Sequence, residues 1–228
     1  MIDAVTAAPE VGSGITGWKF RFESAELRFL GKGAPADRDA PLPLSWLPAG
    51  VERARLQQVH GDTVREARRG ACGEGDALVT NLPGLALEIA TADCVPVMLA
   101  SPVGLGGAHA GWRGVALAVV ARTVERLGDP RAISAWIGPS IGGCCYEVEE
   151  DRARAVAAAS PGVEVVAGRS GRGRPLLDLV TAVEGQLRRA GVERISTLRV
   201  CTRCHPDWLA SYRRDGAGAG RNVALIWR

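Results

Sequence analysis

This sequence predicts an α+β fold on three observations. Short apolar runs of strand length are bounded by Thr, Asp, Pro or Gly, and amphipathic stretches of helical spacing are interleaved among them. The chain also has 228 residues, 46% of them hydrophobic, enough to bury one large core, so we expect a single domain over 1–228.

Residues 1–50 are punctuated by Gly31, Gly33, Pro35, Pro41, Pro43 and Pro48, and only Phe20 to Phe29 alternates enough to suggest a hairpin or two strands. Leu85–Ala90, Val95–Ala100 and Gly104–Ala108 then follow as core strands. Gly114 to Leu127 carries Val115, Leu117, Ala118, Val119, Ala121, Val124 and Leu127 at helical spacing, with Arg126 near its end and Gly128 as the stop. Ile133–Ile137 is a further strand, Glu149–Ala159 and Asp178–Ala190 are helices, and Ile195–Val200 and Asn222–Trp227 are closing strands. The segment from Val166 to Pro175 is basic and glycine-rich, which predicts a solvated loop.

Charge and termini narrow the function. Twenty-eight basic and 25 acidic side chains leave +3, too small a surplus to imply nucleic acid or a membrane surface as partner. Met1-Ile2-Asp3-Ala4 opens no secretory signal, and Glu88 and Asp93 interrupt the apolar stretch after Leu85 before it could span a bilayer. A cytoplasmic protein is expected, with its six cysteines reduced, and a monomer is favoured.

The chain has three histidines, and two sit among small residues: Gln58-Val59-His60-Gly61 and Gly107-Ala108-His109-Ala110-Gly111. Glycine beside them lets backbone or ligand approach closely, although a hydrogen-bonded core histidine is an even alternative for either alone. Between them, in Thr91-Ala92-Asp93-Cys94-Val95-Pro96, a cysteine stands at a strand entrance beside an aspartate. Two imidazoles and a thiolate are a good donor set for Zn²⁺ and leave a fourth position for water or substrate. Separations of 34 residues from His60 to Cys94 and 15 more to His109 are weak evidence by themselves.

Other candidates carry less. Arg113, at a helix start, is placed to bind an anion, with a surface ion pair as the alternative. The turn Gly138-Pro139-Ser140-Ile141-Gly142-Gly143 could offer backbone donors to a phosphate through Ser140, Gly142 and Gly143. Cys201-Thr202-Arg203-Cys204-His205 holds a C-x-x-C that could be half a structural zinc site or a redox pair, and no second C-x-x-C completes it. Cys144-Cys145 could join it only in part, since neighbours on a strand face opposite ways, so packing is the default for all four.

Together, Gln58-Val59-His60-Gly61, Thr91-Ala92-Asp93-Cys94-Val95-Pro96, His109-Ala110-Gly111-Trp112-Arg113-Gly114, Ile137-Gly138-Pro139 with Cys145-Tyr146-Glu147-Val148, and Ser211-Tyr212-Arg213-Arg214-Asp215 resemble the YfiH-type family. Its members have been labelled polyphenol oxidoreductase (laccase-domain) proteins and purine nucleoside phosphorylases. The resemblance runs in order from about Gln58 to the C-terminus and implies a layered mixed β-sheet core flanked by helices. It also implies one catalytic zinc on His60, Cys94 and His109. The implied activities are phosphorolysis of adenosine, inosine, guanosine and methylthioadenosine, plus hydrolytic deamination of adenosine. Purine nucleosides and phosphate are then the expected partners. Deamination fits metal-assisted hydrolysis with Asp93 or another carboxylate handling protons, and phosphorolysis needs an anion site, for which Arg113 and the Gly138–Gly143 turn are the candidates. The family's G-G-V-S, N-L-G and N-R elements are not legible in residues 1–57, and Ser140 replaces a cysteine often found after G-P.

Three competing functions make different demands on these residues. Multicopper oxidation needs many imidazoles, and three are present, so copper is not expected. A hydrolase editing peptidoglycan precursors would use Cys94 as nucleophile and His109 as base. A non-enzymatic zinc-binding module is the third reading, motivated by the divergent N-terminal quarter.

Overall fold

The computed structural model describes residues 10–12, 15–32 and 46–228. Gly33, Pro35, Pro41, Pro43 and the Met1–Ala4 start lie outside them. Two mixed sheets dominate. Among the described residues the first has seven strands in the order Glu10–Gly12, Ile15–Phe22, Ala25–Leu30, Asn222–Trp227, Leu85–Thr91, Glu52–Gln57, Gly70–Glu74. The second has six: Arg194–Thr197, Ser134–Ile137, Val95–Ser101, Gly104–Ala110, Ala77–Thr80, Val64–Glu66. Glu52–Gln57 runs parallel to both its neighbours, whereas Asn222–Trp227 is antiparallel to its own.

Side-chain alternation shows how the layers stack. Leu87, Ile89, Ala224 and Ile226 of the first sheet share a buried cluster with Met98, Ala100, Leu105 and Trp136 of the second, so the sheets face one another. The intervening residues Val95, Val97 and Leu99 join Val119, Val120, Val124, Val183 and Leu187 in a cluster between the second sheet and the helices. On the outer face of the first sheet, Val223, Leu225 and Trp227 pack with Leu30 and Trp46. Strands covered on both faces read as continuous apolar runs, which is why these were legible in the sequence. Layered sheets flanked by helices match the α+β expectation.

Several elements differ from their sequence reading. The helix expected over Gly114–Leu127 is two, Trp112–Ala116 and Val119–Glu125, broken at Ala118, whose φ is 59°. Apolar spacing continues through the break because both pieces pack on the same sheet, so periodicity does not register it. The segment expected as a loop from Val166 contains a two-stranded ribbon, Val166–Arg169 with Pro175–Leu177. Its arginines are paired, Arg169 with Glu150 and Arg174 with Glu149. The last strand before the C-x-x-C stops at Thr197, after which residues 198–202 follow the turn beyond Ile137: Leu198 donates to Ile137 O, Ser140 to Val200 O and Thr202 to Ser140 O. Glu52–Gln57, Val64–Glu66 and Gly70–Glu74 gave no readable signal, being short and charged with few buried positions. Phe20–Phe29 is a hairpin, as its alternation suggested. Among the described residues no helix is long and apolar enough to cross a membrane.

Candidate metal centre

Three separate segments converge at one end of the facing sheets. Gln58 binds the Ala90 backbone twice, donating from Nε2 to O at 2.7 Å and accepting from N at Oε1 at 3.0 Å. This ties the loop carrying His60 to the strand that leads to Cys94. His109 lies near the end of Gly104–Ala110, antiparallel to Val95–Ser101, with His109 opposite Pro96. Consequently the donor atoms of His60, Cys94 and His109 all lie within 4.8 Å of one another, and the two imidazole rings meet edge to face at 4.8 Å between centroids.

Asp76 holds this arrangement together. Its side chain is fully buried and accepts hydrogen bonds from the amides of Val59 (3.2 Å), His60 (2.9 Å) and Gly61 (2.6 Å). The same carboxylate meets His109 Nδ1 at 2.8 Å, and Asp76 O accepts from His109 N. Burial opposes ionisation of Asp76, but the His109 hydrogen bond and then the Gly61 amide hold its carboxyl below the usual range. An ionised Asp76 accepts the Nδ1–H, which fixes the His109 tautomer and frees Nε2 as a donor to an ion. The loop geometry requires this support: His60 has φ 62°, a conformation costly for a non-glycine residue. Sequence reading missed Asp76. The available signal was the Gly75-Asp76 pair before a buried strand, which resembles an ordinary turn.

The donor chemistry fits a soft-to-borderline divalent ion. Burial opposes the Cys94 thiolate, yet the charge and hydrogen bond of His109, then the hydrogen bond of His60, bring its pKa down to about 6. Burial likewise opposes His109 protonation, and the Cys94 charge and the Asp76 hydrogen bond outweigh it, raising His109 to about 9. Thiolate and imidazolium thus stabilise one another in the metal-free chain, and an ion would replace the proton between them. Two imidazoles plus a thiolate suit zinc with one open position. Gly111 lies against this centre: a Cβ there would come 2.9 Å from Cys94 Sγ and 3.2 Å from His60 Cδ2. We expect Gly111→Ala to weaken zinc binding by about ten- to a hundredfold, the overpacking cost of one methyl against two ligands. Competition against a zinc-buffering chelator would measure this.

The other expected site residues are placed differently. Asp93, at φ 92°, accepts from Thr202 Oγ1 at 2.6 Å and from Arg213 N at 2.6 Å, one bond to each carboxylate oxygen. Its backbone oxygen accepts from Ile141 N. These bonds engage both carboxylate oxygens and tie the Cys94 entrance to the segments carrying Thr202 and Arg213. Four amides of the Gly138–Gly143 turn are engaged within the fold. The amides of Gly138, Ser140, Ile141 and Gly142 donate to Pro96 O, Val200 O, Asp93 O and Cys201 Sγ respectively. A Cβ at Gly143 would come 2.7 Å from Ala167, so that residue is held by packing, and Ser140 is buried. The Ser140 and Gly142 amides are thus engaged within the fold, whereas the buried Ser140 hydroxyl has no hydrogen-bond partner. Arg113 is exposed, and its guanidinium lies 5.3 Å from the Trp112 ring, with that of Arg152 5.2 Å from the same ring. Arg213 stands 5.0 Å from the Tyr146 ring.

The remaining histidine, His205, stacks on Trp208 at 5.0 Å and lies outside this donor set. With two imidazoles at the centre, a blue-copper site plus a further copper cluster cannot be built.

Known proteins extend this geometry. Residues 45–228 match the family described as multi-copper polyphenol oxidoreductase laccase. A Deinococcus radiodurans protein named purine nucleoside phosphorylase is 45% identical over 185 residues, covering 78% of this chain and 71% of the relative. A Streptomyces coelicolor protein with the same activity in its name is 42% identical over 191 residues, covering 78% and 77%. Among solved structures, a Neisseria meningitidis protein superposes with a TM-score of 0.81 at 27% identity, covering 92% of this chain and 98% of its own. YfiH from Bacillus licheniformis gives 0.79 at 26%, covering 89% and 92%. Sequence and fold therefore agree that this chain belongs to the YfiH-type, laccase-domain family, copper oxidases in the family's printed description alone.

Proposed function

We propose that this protein is a zinc-dependent purine nucleoside phosphorylase, with His60, Cys94 and His109 holding the ion. The observation that carries the reading is the convergence of those three donors around Asp76, in a chain whose relatives bear that activity's name. A divalent ion in this position supplies Lewis acidity for charge developing on the purine or sugar. The protein's own groups do the rest. Asp76 fixes the His109 tautomer, and Asp93 holds the Cys94 entrance against Thr202 and Arg213. Arg113 and Arg152, grouped at Trp112, are the guanidiniums we assign to attracting phosphate. As substrates we propose adenosine, inosine, guanosine and methylthioadenosine, with hydrolytic deamination of adenosine at the same centre, in the cytoplasm.

Incubating the protein with each nucleoside, with and without phosphate and with and without a chelator, tests this. We expect phosphate-dependent release of free base and the corresponding pentose 1-phosphate, ribose 1-phosphate from adenosine, inosine and guanosine and 5-methylthioribose 1-phosphate from methylthioadenosine, lost on chelation and restored by zinc. Release of inosine from adenosine without phosphate would report the deamination. A Cys94 nucleophile of the peptidoglycan-editing kind has one observation in its favour, the thiolate-favouring contact with His109. That reading predicts a hydrolysis that survives chelation and a thiol that remains open to alkylation. Metal-replete protein inert toward every nucleoside would overturn our assignment and favour a binding module.

A further inference from the structure

A second group of metal-ligating side chains stands apart from the first. Cys144, Cys145, Cys201 and Cys204 place all four sulfur atoms within 4.8 Å of one another. The Sγ–Sγ separations are 3.6 Å for Cys144 to Cys145, 3.8 Å for Cys144 to Cys204 and 3.4 Å for Cys145 to Cys204. Four thiolates at a Zn–S distance of about 2.3 Å in a tetrahedron would be about 3.8 Å apart, so the cluster is already near that size. We propose that these four cysteines form a structural tetrathiolate zinc site.

The sequence objection, that adjacent cysteines diverge, assumed a strand. Cys144 and Cys145 instead lie in a tight turn, in which Cys145 N and Tyr146 N both donate to Gly142 O. Successive side chains of a turn can converge where those of a strand cannot. The facing pair sits in a second turn, with Cys204 N donating to Cys201 O. Gly142 joins the two: its N–H donates to Cys201 Sγ at 3.3 Å, and a Cβ there would come 3.3 Å from Cys144 Sγ and 3.4 Å from Cys201 Cβ. An amide donated to sulfur stabilises a thiolate.

Burial opposes ionisation of Cys201, but the Gly142 and Cys204 amides pull it below the ordinary thiol range. Cys204 is pushed up to about 11 by its hydrogen bond to Cys145 and by burial, and Cys144 is raised by burial and its bonds to Cys145 and Cys201. Four thiolates so close repel one another unless a cation neutralises them, and Zn²⁺ binding would send the displaced protons to solvent.

The location gives the site a purpose. Ile141, just before the first turn, donates to Asp93 O, and Thr202, within the second, donates to Asp93 Oδ1. Locking the turns together would hold both contacts on the residue next to Cys94. The proposal does not depend on the nucleoside assignment.

The experiment is metal analysis of full-length protein purified with a thiol reductant and no chelator, alongside Cys94→Ala, Cys145→Ser and Cys204→Ser. We expect about two zinc ions per chain in the wild type and about one in each variant, counting one ion per four-ligand or three-ligand site. Cobalt substitution separates the two centres: Cys94→Ala should keep the intense sulfur-to-cobalt absorption of a four-thiolate site, and Cys204→Ser should lose most of it. Should the serine variants fail to fold, alkylation of the native Cys94→Ala chain, mapped by mass spectrometry, decides the matter. Zinc should protect all four cysteines, and chelation should expose them. The proposal is overturned by wild-type metal content in Cys145→Ser and Cys204→Ser, by a disulfide among the four in the reduced preparation, or by alkylation that zinc does not slow.

Discussion

Cys94→Ala should abolish phosphorolysis, lowering kcat/KM by at least about a thousandfold, because a Lewis acid typically contributes several kcal/mol of transition-state stabilisation. Cys94 offers the only sulfur in the donor set, and its removal leaves two imidazoles, one of them on an exposed loop. Two neutral nitrogens form an incomplete set for zinc, so the ion should be lost together with activity. The fold should survive, since Cys94 is only partly buried and the Asp93 bonds to Thr202 and Arg213 do not use the thiol. Circular dichroism, metal analysis and the nucleoside assay on one preparation would check all three statements. Full activity without the ion would remove this centre from the mechanism.

Asp76→Asn should have the second largest effect, a drop in zinc affinity of about ten- to a hundredfold with a matching loss of activity at limiting zinc. The substitution preserves shape but not charge. It weakens three amide contacts at the His60 loop and the hold on His109 Nδ1–H through the same change. Asp76→Ala should go further, destabilising the fold by about 3 kcal/mol or more, because it strands several buried donors at once. Excess zinc should rescue Asp76→Asn activity but not that of Cys94→Ala. Denaturant unfolding and zinc-dependence curves would measure the two effects. An Asp76→Asn protein with unchanged zinc affinity would show that the carboxylate serves the loop alone.

The uneven legibility of the chain follows from where information is stored in it. Strands buried on both faces, such as Val95–Ser101 and Asn222–Trp227, declare themselves because every position is apolar. Glu52–Gln57 does not, because its pattern of burial includes only Ala54 and Leu56. The break at Ala118 is invisible for the opposite reason, since the apolar spacing it interrupts is complete on both sides. At the centre, His60, Cys94 and His109 stand out by residue type and small neighbours, whereas Asp76 is one of many acidic residues in a glycine-rich stretch.

The sequence by itself determined the α+β class, the core strands, the scarcity of imidazoles that excludes a multicopper centre, and the motifs that mark the family. Only the tertiary structure decided which groups meet. It turned Asp93 toward Thr202 and Arg213, engaged the amides of Gly138, Ser140, Ile141 and Gly142, brought Asp76 against His109 across 33 residues, and gathered four cysteines from two turns. The reason is physical: periodicity and composition report whether a residue is buried, while the direction of a side chain's polar atoms depends on partners distant in the chain.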